Sequence, residues 1–263
     1  MRFKNYFLVF ATLLVLSGCV SLPGTRPEVQ SIECRTAAID FEGTNLAFDI
    51  DVFNPSAGGV QGPLVRYAIY IKEAPILELE KPPGTELDAS GTTILTLPVR
   101  ISYEDLWKHD RTLRHASEAS FTLRGALVFD GPGPTFAVPI SYSGSFPILR
   151  PPELTAVKVR LSDVSLSEAL LLVDAEVTNP NSFALDIRRL DYSLDLGDVR
   201  VNKLMSWTKG LVPARQRKPL TLSSKVSASD GLIDLLMKGV SDTPRITAEG
   251  IIETPYGAVE LKR

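Results

Sequence analysis

The chain is poor in the residues from which catalytic and metal sites are usually built. Its 263 residues hold two cysteines and two histidines. Two cysteines allow one intrachain disulfide at most, and they exclude a cysteine-rich scaffold or a Cys/His zinc cluster. His109 and His115 stand six apart, a spacing that puts them on different sides of a helix and makes a shared metal poor geometry. No glycine-rich phosphate loop precedes a helix, because Gly131 and Gly133 sit among prolines. There is no Gly-x-Ser-x-Gly elbow. The net charge is only −3, with the charges scattered rather than gathered in a stripe. That excludes the electrostatic footprint of a nucleic-acid binder and tight docking on anionic lipid. We therefore expect no catalytic residue, no metal and no cofactor. Asp49 with Asp51, and Asp174 with Glu176, are paired acids, but the i, i+2 spacing is that of a wet strand face. Two carboxylates also fall short of the about six to eight oxygens that calcium takes.

Long apolar runs are scarce as well. One stretch stands out, Tyr6 to Leu16, and it is shorter than the about 20 apolar residues a membrane-crossing helix needs. Arg2 and Lys4 precede it and Ser17-Gly18-Cys19 follows, the pattern of a secretory signal. Leu16-Ser17-Gly18-Cys19 resembles the bacterial lipobox. The resemblance implies a signal peptide over residues 1–18, removal of that peptide, and a lipid on Cys19. Several acyl chains, as such lipoproteins carry, hold a protein firmly to a membrane. Val20 stands where many inner-membrane lipoproteins have Asp, so the expected address is the outer membrane, facing the periplasm. Residues 19–26 read as a short tether. With Cys19 lipidated, Cys34 has no partner and reads as a small buried hydrophobe.

What the chain does have is a repeat. Adding 125 to a position in the first half usually finds the same kind of residue in the second. Pro27-Glu28-Val29 matches Pro152-Glu153-Leu154. Tyr67, Ile69 and Ile71 match Tyr192, Leu194 and Leu196. Leu95-Thr96-Leu97 matches Leu220-Thr221-Leu222, and Gly125 matches Gly250. A period of this length is a whole domain rather than a solenoid unit. Two modules are expected, 27–150 and 151–263, with the boundary at Arg150-Pro151-Pro152, where prolines end regular structure.

Within each module the apolar residues have period two. Leu46, Phe48, Ile50 and Val52 alternate with Ala47, Asp49 and Asp51, and Leu171, Val173, Ala175 and Val177 alternate with Leu172, Asp174 and Glu176. Such alternation buries one face of a strand and wets the other. Phe121-Leu123 and Ile246-Ala248 open a final hairpin, with turns at Asp130 to Pro134 and Thr254 to Gly257. Ser102-Tyr103-Glu104-Asp105 and Ser227-Ala228-Ser229-Asp230 resemble helix capping boxes. One short helix per module is expected, carrying Leu106, Trp107 and Leu113 in the first and Leu232, Ile233, Leu235, Leu236 and Val240 in the second. Trp107 and Met237 are assigned to packing. The fold class is mainly β, an antiparallel sandwich in each module with one short α-helix.

Asn54-Pro55 and Asn179-Pro180 each end an alternating strand. Proline cannot donate to a ladder and keeps the residue before it out of the helical region. Asparagine can bond the backbone two residues on and close the turn. The role is structural. Acid-flanked apolar residues ending in Asn179-Pro180-Asn181 resemble the type 2 late embryogenesis abundant family, whose domain is also called the water-stress and hypersensitive-response domain. The likeness covers about 28–147 and 153–263. It is weaker in the first copy, where Ser56 replaces the second asparagine. The resemblance implies a sandwich of immunoglobulin or fibronectin type III topology, a role in desiccation and other stress, and no catalytic residues.

These readings lead to a non-enzymatic, lipid-anchored envelope protein with a stress-related binding or protective role. Two alternatives stay open. One is a carrier or chaperone for an apolar ligand such as lipid, held between the sheets or beneath the helix. The other is an adaptor that offers strand edges to another envelope protein.

Overall fold

The computed structural model describes residues 26–81, 86–130, 134–165, 167–196, 199–227, 233, 237 and 244–261. In the first half β1 (Glu28–Ile39), β2 (Gly43–Asn54), β3 (Leu64–Ile71), β4 (Ala74–Lys81) and β5 (Gly91–Ser102) lead to α1 (Tyr103–His109) and a 3-10 helix (Arg111–His115). Then come β6 (Glu118–Phe129) and β7 (Phe136–Pro147). In the second half the described strands are β8 (Glu153–Ser162), β9 (Glu168–Thr178), β10 (Leu185–Leu196), β11 (Val199–Val212), β12 (Arg217–Ser227), β13 (Arg245–Thr254) and β14 (Gly257–Leu261).

All pairings are antiparallel, and every sheet draws its strands from one half only. The first half forms sheets β1-β2-β5 and β4-β3-β6-β7. The second forms β8-β9-β12 and β11-β10-β13-β14, so the strand order is the same twice over. The cause is the period-two pattern. Leu46, Phe48, Ile50 and Val52 are buried on β2, and Leu171, Val173, Ala175 and Val177 on β9. Tyr67, Ile69 and Ile71 on β3 and Tyr192, Leu194 and Leu196 on β10 line the facing sheets. Each buried Leu, Ile, Val or Phe among them contributes about 1.5–3 kcal/mol by leaving water. Phe48 meets Phe121 of β6 and Tyr142 of β7 edge to face, at 5.7 and 5.8 Å between centroids. In the second half Tyr192 Oη lies 2.9 Å from Ser224 Oγ, joining β10 to β12. Ala47 departs from the alternation and is buried. It sits between Arg35 and Pro98 on the adjoining strands, and a single methyl has little area to leave in water.

The first helix starts where the capping pattern places it. Ser102 Oγ accepts the Asp105 N–H, acids occupy the first turn, and Lys108 and His109 occupy the last. This charge order suits the helix dipole. Tyr103 and Leu106 are buried against the sheets, and Tyr103 Oη accepts the Leu149 N–H at 2.9 Å. Leu113 falls in the 3-10 helix rather than in α1. Of the second expected helix only Ile233 and Met237 are described; both are helical. Leu232, Leu235, Leu236 and Val240 lie outside the described residues, as does the turn at Gly131 to Gly133. Met237 is 82% exposed, which corrects its assignment to packing. Ile233 is exposed too.

Candidate functional site

Cys19 lies outside the described residues. The asparagines do not. Asn54, at the end of β2, is fully buried. Its Nδ2 donates to the carbonyls of Gly58 and Asp88 at 3.0 Å each, and its Oδ1 accepts the Ser56 N–H at 3.0 Å. Asn179, just past β9, repeats this set one module later. Its Nδ2 donates to Phe183 O at 2.8 Å and to Val212 O and Pro213 O at 3.1 Å, while Oδ1 accepts the Asn181 N–H at 2.9 Å. Phe183 and Pro213 are the repeat partners of Gly58 and Asp88. Pro55 and Pro180 follow directly and donate nothing to the ladder. Each asparagine therefore ties the end of one strand to two loops. A buried amide with every polar atom paired is stable, and nothing of it is left for a ligand.

Asn181 does something its first-half counterpart Ser56 cannot. Its side chain brackets the backbone of Arg150, accepting from its N–H and donating to its carbonyl. Ser182 and Arg215 reach Ser117 in the first half as well. These hydrogen bonds between the halves gather around the asparagine turn of the second.

The paired acids are spent on neighbours. Asp49 takes the Thr96 hydroxyl at 2.7 Å and Arg35 Nε at 3.3 Å, and these contacts hold its carboxyl below the usual range despite partial desolvation. Asp51 accepts from Ser31 at 2.6 Å. Asp174 pairs with Arg160 at 2.8 Å, and Glu176 with Arg217 at 3.3 Å. Cys34 is half-buried on β1, and burial, then the nearby Asp49 charge, pushes its thiol up to about 11. The protonated thiol is a poor nucleophile at neutral pH. Among the described residues no group of three or more His, Cys, Asp or Glu side chains could hold a metal ion. No described helix is long and apolar enough to cross a membrane.

One group of side chains has no signal in the sequence. His115 and Arg114 at the end of the 3-10 helix, Trp107 on α1 and Arg150 on the connecting segment line a common cavity. They come from three separate stretches, and no spacing links them. Trp107 does pack on the core, with its ring 5.9 Å from that of Tyr103, yet its indole Nε1 is buried without a hydrogen-bond partner.

Comparison with known proteins agrees with the repeat. The model of the family described as late embryogenesis abundant protein matches residues 49–144 and again 174–259. A comparison with curated proteins yields no match. Among solved structures, the crystal structure of a protein from Archaeoglobus fulgidus is similar at 10% identity and a TM-score of 0.39, over 46% of this chain and 97% of that one. The solution structure of a protein from Arabidopsis thaliana is similar at 20% identity and a TM-score of 0.39, over 53% of this chain and 92% of that one. Red sea bream transglutaminase is similar at 13% identity and a TM-score of 0.31, over 89% of this chain but only 32% of its own length.

Proposed function

We propose a protective, non-enzymatic role for this chain, because it belongs to the type 2 late embryogenesis abundant family over both of its halves. The observation that carries the reading is that double match, in register with the 125-residue repeat. Family membership implies a stress-related function and brings no catalytic residues with it. In this reading each half is an immunoglobulin or fibronectin type III-like sandwich, one over 27–150 and one over 151–263. The repeated strand order supports that division.

The location belongs to the same proposal. Cleavage before Cys19 and lipid on its thiol would hang both modules from the outer membrane, facing the periplasm. The support is the basic start, the short apolar run and the small residues before Cys19. There the modules would bind or shield envelope components during drying or osmotic shift. Deleting the gene tests the role: reduced survival and a leakier envelope after drying support it, and unchanged survival and permeability sink it.

A further inference from the structure

A cavity of about 730 Å³ lies where the two halves meet. That is the volume of a small-molecule site, which typically spans about 300–1,000 Å³. Phe41, Leu149 and Val259 give it apolar walls, and Val259 belongs to β14 of the second half while the others come from the first half and the connecting segment.

The polar groups around it are not evenly matched. Its acids already have partners. Asp40 accepts the Glu42 and Gly43 N–H groups at 2.8 Å and both Arg100 Nη atoms at 3.0 and 3.1 Å. Glu42 lies 3.9 Å from the same guanidinium, and Glu260 is engaged as well. Arg114 and Arg150 line the cavity as well. The Arg114 guanidinium sits over the Trp107 ring, 5.6 Å from its centroid. Arg150 donates one Nη1 bond, 3.2 Å to the His115 carbonyl, and lines the cavity beside them. A planar guanidinium favours a planar anion that accepts two bonds at once.

We propose that this cavity binds a small amphipathic carboxylate, with its head against the Arg114 and Arg150 guanidinium groups and its apolar body along Phe41, Leu149 and Val259. The inference rests on the cavity and not on the stress role. A deletion strain that dries without harm would refute that role and leave this site untouched.

Calorimetric titration of the purified full chain with decanoate and with decanol tests it. Decanoate binds saturably at one per chain. Decanol, which has the same tail without the charge, binds about tenfold more weakly, the worth of one charge-assisted hydrogen bond. Arg114→Gln removes that difference by lowering decanoate affinity alone. Its side chain is exposed, so the melting midpoint of the variant stays put. Arg150→Gln, which keeps the backbone bonds to Asn181, likewise weakens decanoate and leaves decanol unchanged. Absence of saturable decanoate binding overturns the proposal. So does equal affinity for decanol, or decanoate binding that Arg114→Gln and Arg150→Gln leave intact.

Discussion

Asn181 holds Arg150 by its backbone from two sides: Oδ1 accepts the Arg150 N–H at 2.7 Å, and Nδ2 donates to the Arg150 carbonyl at 2.9 Å. A peptide segment between β7 and β8 is thereby pinned to the turn that closes β9. The same amide also donates 2.9 Å to Asn179 Oδ1, so the two asparagines act as one unit. Strand end, turn and connecting segment are fixed together by a side chain that is itself fully buried.

Asn181→Ala leaves the Arg150 N–H and carbonyl without their partners. Each unmet buried group costs about 1–3 kcal/mol. The variant is expected to unfold at lower denaturant, with the second half affected first. Asn181→Ser copies the first module's Ser56 and recovers little, because a hydroxyl is too short to bracket a peptide. Denaturant titration followed by circular dichroism gives both answers.

Asn54→Ala and Asn179→Ala remove equivalent clamps. The two Nδ2 hydrogens of Asn179 are shared among three carbonyls, and those of Asn54 serve two. Both substitutions destabilise by roughly 2 kcal/mol or more, and the second costs more. Equal stability of either variant and the wild type in a melting experiment would contradict the structural role given to the pair.

Gly125 and Gly250 occupy matching places on β6 and β13, opposite β3 and β10. A Cβ at Gly125 would stand 2.3 Å from the Arg66 carbonyl oxygen, and one at Gly250 2.6 Å from that of Arg189. Neither contact is tolerable, and the obstacle is backbone rather than a side chain that can turn away. Gly125→Ala and Gly250→Ala should each force neighbouring strands apart and cost about 1–3 kcal/mol. Hydrogen exchange is expected to rise along β3 for the first variant and along β10 for the second.

Cys34 gives a pH signature. Its thiol is raised from 9.0 in the unfolded chain to about 11 in the fold. The folded state therefore keeps a proton that the unfolded state releases. The contribution of this group to stability is fully present below pH 9 and is lost as pH rises through about 11. Cys34→Val, which copies Val159 of the second module, flattens that part of the stability curve. Alkylation of native Cys34 by iodoacetamide at neutral pH is expected to be far slower than that of a small free thiol. A rate equal to that of the free thiol would contradict its burial.

The sequence made the repeat and the strands legible because both are written in local pattern. Alternation showed β2, β3, β5, β9 and β10, and Ser102 showed the start of α1. The acid-rich wet faces were readable for the same reason, whereas their individual partners, such as Arg35 for Asp49, depend on strand register. Ala47 was misplaced because alternation does not register how little area a single methyl has to leave in water. Met237 was misplaced because helical spacing does not tell a packed face from an open one. The cavity left no trace at all. Phe41, Trp107, Arg150 and Val259 are far apart in the chain, and only the meeting of the two halves brings them together. Asn181 was singled out for its place in a motif, but its hold on Arg150 is a tertiary contact.

The proposed attachment at Cys19 would join the fold to the proposed role, and complementation tests that link most directly. A deletion strain is supplied with either the wild-type chain or Cys19→Ser, and survival after drying is counted beside the amount of protein in the outer-membrane fraction. The wild type is expected to enter that fraction and restore survival, while Cys19→Ser does neither. Rescue by a Cys19→Ser chain recovered in the soluble fraction would contradict an envelope protein that protects from its anchor.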